Sequence, residues 1–373
     1  MLEISIFFCI LKLIQNKKLF MNTFWKLLKI TTFWESHWKA VWVTIDWFPA
    51  GFDVDEEFIK SEIDRRKTGQ SRLVSQRKEP ETFEIVSWVF EWKTTGHPIM
   101  IIIYNQNQKS KDYDNVKDLF RPNHADLTYH QKYWIRDYRG GGRSSARETT
   151  SRVLAWALAK DFLKKKFGTE IFGYTKQVWE FIAKNIDLSI IEENTIRTAD
   201  SEVAPKMVQL IEKIASEWDT IWGILECTIK NPLKNLWEPV FWKIKARLAD
   251  AMLSIWAVQG FEYGAGFDVV NLTGNSYNQW FENNDWNIKS PNNNYAWILW
   301  GITTGEDIVF RIAVKPTSSI YKPQKTVDKD WNSVDFQMKW RHDPCILPRI
   351  VPIVESMVAL VLMDLYLIDN AKK

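Results

Sequence analysis

The segment from Arg121 to Thr149 concentrates many of the side chains in this sequence that could bind an anion. It holds five arginines, two histidines, a triple glycine at 140–142 and the pair Ser144 and Ser145. The apolar-periodic run that follows, SRVLAWALAKDFLKKKF, predicts a helix. Glycines ahead of a helix let the backbone approach a ligand, while the helix N-terminus and the guanidinium groups face its negative charge. The segment therefore predicts an ordered phosphate or polyanion site.

The composition of the sequence argues against a disordered RNA-binding protein and against a cysteine-based metal site. RGGGR also occurs in disordered RNA-binding regions, but apolar and aromatic residues run through 121–149. A net charge of +3 is too mild to indicate a nucleic-acid partner. The three cysteines, Cys9, Cys227 and Cys345, are scattered and form no CxxC pair, which predicts a reducing cytosol and no metal site.

Strand and helix patterns mix along the chain without a strict βαβ rhythm, so they predict an α+β fold. The run 349–368 is nearly long enough to span a membrane, but Arg349, Glu355 and Asp364 interrupt it. We expect it to be a buried or oligomer-facing helix, and we expect the Asn-rich stretch 271–295 to be a functional lid. The other predicted helices lie at 53–67, 151–167, 204–217 and 239–255. The predicted strands lie at 27–33, 40–48, within 69–105, at 219–230 and at 297–316.

Two neighbouring motifs, RPNHADLTYHQKY and RDYRGGGRSSARET, closely resemble the signature of the chorismate synthase family. FWESHWKAV (33–41), DRRKTGQSR (64–72), KPTSSI (315–320) and RHDPCILPRIVPIVESMVALVLMD (341–364) resemble further motifs of that family, in its order. The resemblance runs from Met21 to the end of the chain. It implies a catalytic domain over 21–373, and we expect residues 1–20 to be a spurious extension.

The resemblance also implies a fold and a reaction. The family fold is a β-α-β sandwich of antiparallel sheets around central helices, assembled as a homotetramer in the cytoplasm, with no membrane or nucleic-acid partner. The reaction is a 1,4-anti elimination of phosphate from 5-enolpyruvylshikimate 3-phosphate. It needs reduced FMN without net redox change, and NADPH is a candidate reductant.

Site residues carry over from the family motifs one by one. His37 is expected near the departing phosphate, His124 near the flavin, and Asp343 is expected to assist loss of the ring proton. Residues expected to bind the substrate are Arg66, Arg72, Arg147 and Arg341, of which Arg66 and Arg72 would also contact NADP. Residues expected to bind FMN are Arg143, Ser144, Ser145, Trp256, Ala257, Trp300, Lys315, Pro316, Thr317, Ser318, Ser319 and Arg341. His97 and His130 are expected to be structural.

The sequence has 21 tryptophans and only 15 glycines in 373 residues, a glycine share of about 4% against the usual share of roughly 7%. Many tryptophans, such as Trp38, Trp134 and Trp340, stand where the resembling motifs have glycine. We interpret them as UGA codons that the organism reads as glycine. A structure of the printed sequence should then show tryptophans with positive φ, or indoles crowding the flavin site near Trp256 and Trp300. If the tryptophans are real, a folded FMN or anion binder without turnover is the alternative.

Overall fold

The computed structural model describes residues 22–33, 38–76, 80–106, 110–238, 240–278, 280–284, 287–290, 292–318, 320–337 and 343–373. Two five-stranded antiparallel sheets enclose two long helices, and smaller hairpins and helices surround this core. The α+β sandwich predicted for the chain is confirmed. The predicted boundary near Met21 lies outside the described residues.

The first sheet has the strand order β1-β2-β3-β7-β4, with all neighbours antiparallel. Its inward side chains, among them Val41, Val43 and Ile101, are fully buried. The hairpin β5–β6 follows β4 along the chain. The strands are β1 (Thr23–Phe24), β2 (Lys29–Phe33), β3 (Ala40–Asp46), β4 (Phe83–Ser87), β5 (Val89–Phe90), β6 (Lys93–Thr94) and β7 (Ile99–Tyr104).

The second sheet has the strand order β11-β16-β10-β8-β9 and is also antiparallel. Three further two-strand hairpins, β12–β13, β14–β15 and β17–β18, complete the described strands. The bounds are β8 (Glu170–Val178), β9 (Phe181–Ile182), β10 (Gly223–Lys230), β11 (Val258–Tyr263), β12 (Glu282–Asn284), β13 (Asn287–Lys289), β14 (Ile298–Leu299), β15 (Ile302–Thr303), β16 (Ile308–Val314), β17 (Gln324–Val327) and β18 (Ser333–Phe336).

Two long helices pack against each other between the sheets, one toward β3 and the other toward β8. They are the third and last of the described helices, and each is buried over most of its length. The first ends at Gly168, whose φ of 68° terminates it, and lysines in its last turn complement the helix dipole. The helices are α1 (Glu56–Arg66), α2 (Asp126–Tyr133), α3 (Glu148–Phe167), α4 (Ala204–Ser216), α5 (Ile244–Leu253), α6 (Gly274–Tyr277) and α7 (Leu347–Asn370).

Helix α7 is the one described helix long and apolar enough to span a membrane, but 89% of its apolar window is buried inside the protein. The prediction of a buried helix is confirmed. Each charge that interrupts it has a partner, as a buried charge requires. Asp364 accepts the backbone N–H groups of Leu27 and Leu28 at 2.8 and 2.9 Å. Arg349 pairs with Asp343, and Glu355 pairs with Arg65 and Lys160.

The structure corrects two local predictions. Residues 69–76 form turns instead of a strand, because Gly69 has a φ of 78° and the Gln70 amide bonds the carbonyls of Arg65 and Lys67. Strand β4 begins only at Phe83. The stretch 271–295 is not structureless, since it contains α6 and the hairpin β12–β13. Its role as a lid stays a prediction.

Eleven tryptophans adopt left-handed backbone angles, with φ between 51° and 112°. The expectation of tryptophans with positive φ is therefore confirmed. A residue with a Cβ atom costs roughly 1–2 kcal/mol in this region, and glycine costs nothing comparable. Trp134, for example, ends α2 with a φ of 60° at the position where helices usually carry glycine. The eleven are Trp25, Trp47, Trp88, Trp92, Trp134, Trp179, Trp218, Trp237, Trp297, Trp300 and Trp331.

Candidate active site

Two arginines from distant parts of the chain meet at one carboxylate. Arg66, the last residue of α1, donates from Nη1 to Oε1 of Glu81 at 2.9 Å. Arg147, which precedes α3, donates from Nη1 to the same oxygen at 2.6 Å. Arg66 also bonds the carbonyl of Ala146 and the hydroxyl of Thr149, at 2.8 and 3.1 Å. The end of α1 and the start of α3 are thereby tied together around two positive charges. We call Arg66, Glu81 and Arg147 the arginine cluster.

Asp343 is connected to the arginine cluster through Arg349 of α7. Its two oxygens accept the backbone N–H of Ser75 at 2.7 Å and Nη1 of Arg349 at 2.8 Å. Arg349 in turn donates from Nε to the carbonyl of Arg66 at 3.2 Å. Asp343, Arg66 and Arg147, predicted from three separate motifs, thus belong to one network.

Arg143 lies in the loop before α3 with an unused hydrogen-bonding group. Its Nη2 donates to the side chains of Asn22 and Thr32, at 3.1 and 2.9 Å. Its Nη1 is buried and has no hydrogen-bond partner among the described residues. At Gly142 the φ is 53° and a Cβ would meet nothing within 4 Å. The loop therefore combines a buried, unsatisfied cation with open space, as an anion site requires.

The two serines of the loop are engaged locally. Ser144 Oγ donates to the carbonyl of Gly141 at 2.6 Å. Ser145 Oγ accepts the backbone N–H of Arg147 at 3.3 Å. Both hydroxyls thus lie in the turn between Gly141 and α3, close in sequence to the arginine cluster.

His124 is half-buried beside an ion pair. Its Nδ1 lies 3.1 Å from Asp126 Oδ1 and 3.0 Å from Arg121 Nη2. The tautomer of the ring decides which of these contacts is a hydrogen bond, because Nδ1 donates to Asp126 when protonated and accepts from Arg121 when not. Burial lowers the pKa of His124, and the opposing effect of Asp126 does not restore it. Burial alone would raise the pKa of Asp126, but the hydrogen bonds and charge of Arg121 and His124 hold it far below its usual range. The result is a neutral imidazole held next to a permanent carboxylate.

Two of the segments expected to bind FMN, those of Ala257 and Lys315, are in contact. The backbone N–H of Lys315 donates to the carbonyl of Ala257 at 2.9 Å, and the Nζ of Lys315 lies 3.5 Å from the carbonyl of Asn123, next to His124. Pro316, Thr317 and Ser318 continue this segment beyond β16, and the carbonyl of Thr317 accepts the hydroxyl of Thr220 at 3.3 Å. Ala257 has a φ of 71°, an angle that favours glycine.

Two indoles fill space beside Ala257. The rings of Trp256 and Trp222 lie 5.8 Å apart with planes at 72°, and both Nε1 atoms are buried without a partner among the described residues. A buried indole N–H normally has a partner, so these two are poorly accommodated.

The remaining predicted residues are exposed, make other contacts, or lie outside the described residues. Arg72 is exposed and makes no hydrogen bond or ion pair with the part of the chain that the structure describes. Trp300 is 79% exposed, with its ring 5.0 Å from Lys243 Nζ. His97 packs against Trp88, and His130 packs against Phe120. His37, Ser319 and Arg341 lie outside the described residues.

No cluster of His, Cys, Asp and Glu that could hold a metal ion exists among the described residues. Cys227 and Cys345 are buried free thiols, and burial raises the pKa of Cys345 to about 12. Neither thiol is therefore a reactive nucleophile.

Sequence reasoning missed Glu81 and Arg349. Arg349 had a usable signal, since an arginine at the start of a strongly apolar helix must find a buried partner. Glu81 had none, because it stands in a polar connection where an acidic residue is ordinarily exposed.

Comparison with known proteins identifies the family of this chain. The profile of the chorismate synthase family matches residues 28–367. The chorismate synthase of Phocaeicola vulgatus is 49% identical over 353 residues, covering 94% of this chain and 98% of that protein. The chorismate synthase of Christiangramia forsetii is 48% identical over 353 residues, covering 94% and 99%. A crystal structure of chorismate synthase superposes with a TM-score of 0.73 at 25% identity, covering 92% of each chain. The chain therefore belongs to the chorismate synthase family and is a lyase of aromatic amino acid biosynthesis.

Proposed function

We propose that the arginine cluster and the Arg143 loop form the site where phosphate is eliminated from 5-enolpyruvylshikimate 3-phosphate, with reduced FMN bound alongside. The observation that carries the proposal is the convergence of Arg66 and Arg147 on one point at the start of α3. A substrate with one phosphate and two carboxylates requires several fixed cations, and guanidinium groups suit such anions because they bind them bidentately. Arg72 and Arg341 would supply further positive charge.

The residues present fit FMN at the Arg143 loop and at Lys315. The buried, unpartnered Nη1 of Arg143 and the open space at Gly142 suit a phosphate. Lys315, with the segment through Ser319, brings a second cation and hydroxyl groups. Reduced FMN would supply transient electron density to the substrate ring without net redox change. We assign the flavin phosphate to Arg143, Ser144, Ser145 and the Lys315 segment.

We assign the proton-handling steps to His37, His124 and Asp343. Phosphate leaves as an anion, so an acid beside it, His37, assists departure. His124 would be neutral at pH 7, since burial lowers its pKa, and can exchange a proton on the flavin side. Asp343, oriented by Ser75 and Arg349, assists removal of the ring proton.

We infer that all 21 tryptophans are glycine in the living cell, read from UGA codons. The left-handed angles at eleven of them support this, as do the two unpartnered indoles beside Ala257. Overpacking one core site costs about 1–3 kcal/mol. A folded domain has only about 5–15 kcal/mol of net stability. We call the chain with glycine at these positions the glycine-restored chain. Peptide masses from the native protein test the inference: glycine at each site supports it, and tryptophan at Trp47 or Trp134 contradicts it.

The second candidate function is a flavin or anion binder without turnover. The observation in its favour is the packing of Trp222 against Trp256, which occupies space beside Ala257 if both residues are real. It applies only if the native protein carries tryptophan.

We also propose a homotetramer in the cytoplasm, by analogy with the family. NADPH is proposed as a reductant for FMN, with Arg72 and Arg66 as its contacts. Arg72 is the more accessible of the two, because the Arg66 side chain is only 2% exposed.

Binding measurements on the glycine-restored chain test the site assignment. Arg143→Gln should weaken FMN binding about tenfold or more while changing substrate affinity little, and Arg147→Gln should do the reverse. Lys206→Gln, at an exposed position on α4, is the control and should change neither affinity. Equal effects of the Arg143 and Arg147 substitutions on both ligands would contradict the division of roles.

A further inference from the structure

Glu81 neutralises part of the positive charge that the proposed substrate site depends on. Its Oε1 accepts Nη1 of Arg66 and Nη1 of Arg147, and the three side chains are only 2%, 2% and 10% exposed for Glu81, Arg66 and Arg147. Among the described residues, the guanidinium groups of Arg66 and Arg147 thus share the carboxylate of Glu81 away from bulk water. An anionic ligand that uses these arginines must compete with a carboxylate already bound to both.

The geometry of Glu81 is that of an incomplete ion pair. Its Oε2 is buried and has no hydrogen-bond partner among the described residues. A buried carboxylate oxygen without a partner is unfavourable, and a guanidinium is best paired when both carboxylate oxygens are used. The two arginines are also fixed by other contacts. Arg66 donates to Ala146 and Thr149, and Arg147 donates from Nε to Asn105 Oδ1 at 3.1 Å. The arginines would therefore keep their positions if Glu81 moved away.

We propose that Glu81 is a specificity-determining residue, an internal anion that competes with ligand anions for Arg66 and Arg147. The proposal rests on the proposed function, which assigns these arginines to the substrate. A ligand that joins a phosphate and two carboxylates in one molecule displaces Glu81, because its several contacts act together. A separate phosphate must displace the same carboxylate with far fewer contacts of its own.

Competition by Glu81 also has a consequence for product release. Elimination divides the charge of the substrate between inorganic phosphate and a dicarboxylate product. The intact substrate offsets the cost of displacing Glu81 with all of its linked groups, whereas the fragment left on the two arginines has only its own contacts. Glu81 lowers the affinity of substrate and fragment by the same factor, but the fragment has fewer other contacts, so it binds weakly and dissociates quickly.

The variant Glu81→Gln in the glycine-restored chain removes the competing charge and keeps the side-chain shape. Inorganic phosphate and 5-enolpyruvylshikimate 3-phosphate are the probes, with affinities measured by titration calorimetry. We expect both to bind about tenfold more tightly to the variant than to the unsubstituted glycine-restored chain. We also expect KM and kcat to fall together, because product release slows. Glu84→Gln, an exposed position on β4 with the same change in charge, is the control and should change neither affinity nor kinetics.

Three outcomes would overturn the proposal. Weaker phosphate binding and a higher KM in Glu81→Gln would mean that Glu81 only positions the arginines. Behaviour identical to Glu84→Gln would mean that it does not compete. A variant that is insoluble both with and without phosphate would mean a structural role, whereas stabilisation by phosphate that exceeds the wild-type effect supports the proposal. If the wild-type chain itself neither binds nor converts the substrate, the proposed function fails instead.

Discussion

The carboxylate of Glu355, buried in the middle of α7, accepts a hydrogen bond from the backbone N–H of Gly173 in β8 at 3.0 Å. The same carboxylate pairs with Arg65 of α1 and Lys160 of α3, each at 2.6 Å. One side chain therefore joins the second sheet to three helices. Burial alone would raise the pKa of Glu355, but the charges of Arg65 and Lys160 hold it well below its usual range.

Replacing Glu355 by Gln should destabilise the protein by about 1–3 kcal/mol, because Arg65 and Lys160 each lose a buried charged partner. Both cations keep Glu62 as a second partner, and Arg65 also keeps Glu192. Denaturant unfolding of the glycine-restored chain measures this loss. Glu193→Gln removes an exposed carboxylate and should change stability by less than about 0.5 kcal/mol. A loss in Glu355→Gln no larger than in this control would contradict the role given to Glu355.

The pH dependence of stability follows from the lowered pKa of Glu355. A carboxyl whose folded pKa lies below its unfolded value of 4.5 stabilises the fold fully above that value. This stabilisation is lost as the pH falls through the folded pKa. Wild-type stability should therefore decline below about pH 4.5, and the decline should be shallower in Glu355→Gln. Parallel curves for the two proteins would show that the coupling is absent.

His124 should affect stability in a different pH window. Its folded pKa lies below the ordinary 6.5, so between these two values the unfolded chain binds more protons. Stability should rise with pH across this window and level off above about pH 6.5. His124→Gln should remove the rise, whereas His97→Gln, at an exposed site, should retain it. Thermal unfolding from pH 5 to 8 compares the three proteins, and an unchanged rise in His124→Gln would refute the buried neutral imidazole.

Catalytic roles for the two motif histidines predict a selective loss of turnover. His37→Ala and His124→Ala should each lower kcat about 10²–10⁴-fold, the usual contribution of a general acid or base. FMN binding, measured by flavin fluorescence, should weaken much less. Normal turnover in both variants would remove the assigned proton-transfer roles.

The tryptophans with positive φ allow backbone strain to be tested in the tryptophan-bearing chain. Trp47→Gly, Trp88→Gly and Trp179→Gly, at φ of 66°, 60° and 55°, should each stabilise the tryptophan-bearing chain by about 1–2 kcal/mol. Trp42→Gly lies inside β3 and should destabilise it, since glycine weakens a strand interior. Chemical denaturation measures all four. Destabilisation by the three left-handed substitutions would argue against backbone strain.

The sequence predicted the site residues that stand in family motifs. It also predicted the helices and strands whose apolar residues recur with a clear period. The apolar run of α7, with its three interrupting charges, predicted a buried helix, because a membrane span excludes such charges. The turns at 69–76 escaped prediction, because the Gln70 amide and the left-handed Gly69 override the alternating pattern that follows. The link from Asp343 through Arg349 to Arg66 could not be predicted, since it depends on tertiary contacts between α7 and the end of α1.

The most direct test of the account is anaerobic turnover of 5-enolpyruvylshikimate 3-phosphate by the glycine-restored chain, with the tryptophan-bearing chain alongside. We predict that the glycine-restored chain releases one phosphate for each chorismate formed. We also predict that this release requires reduced FMN, and that the tryptophan-bearing chain is inactive. A folded glycine-restored chain without turnover, or an equally active tryptophan-bearing chain, would contradict it.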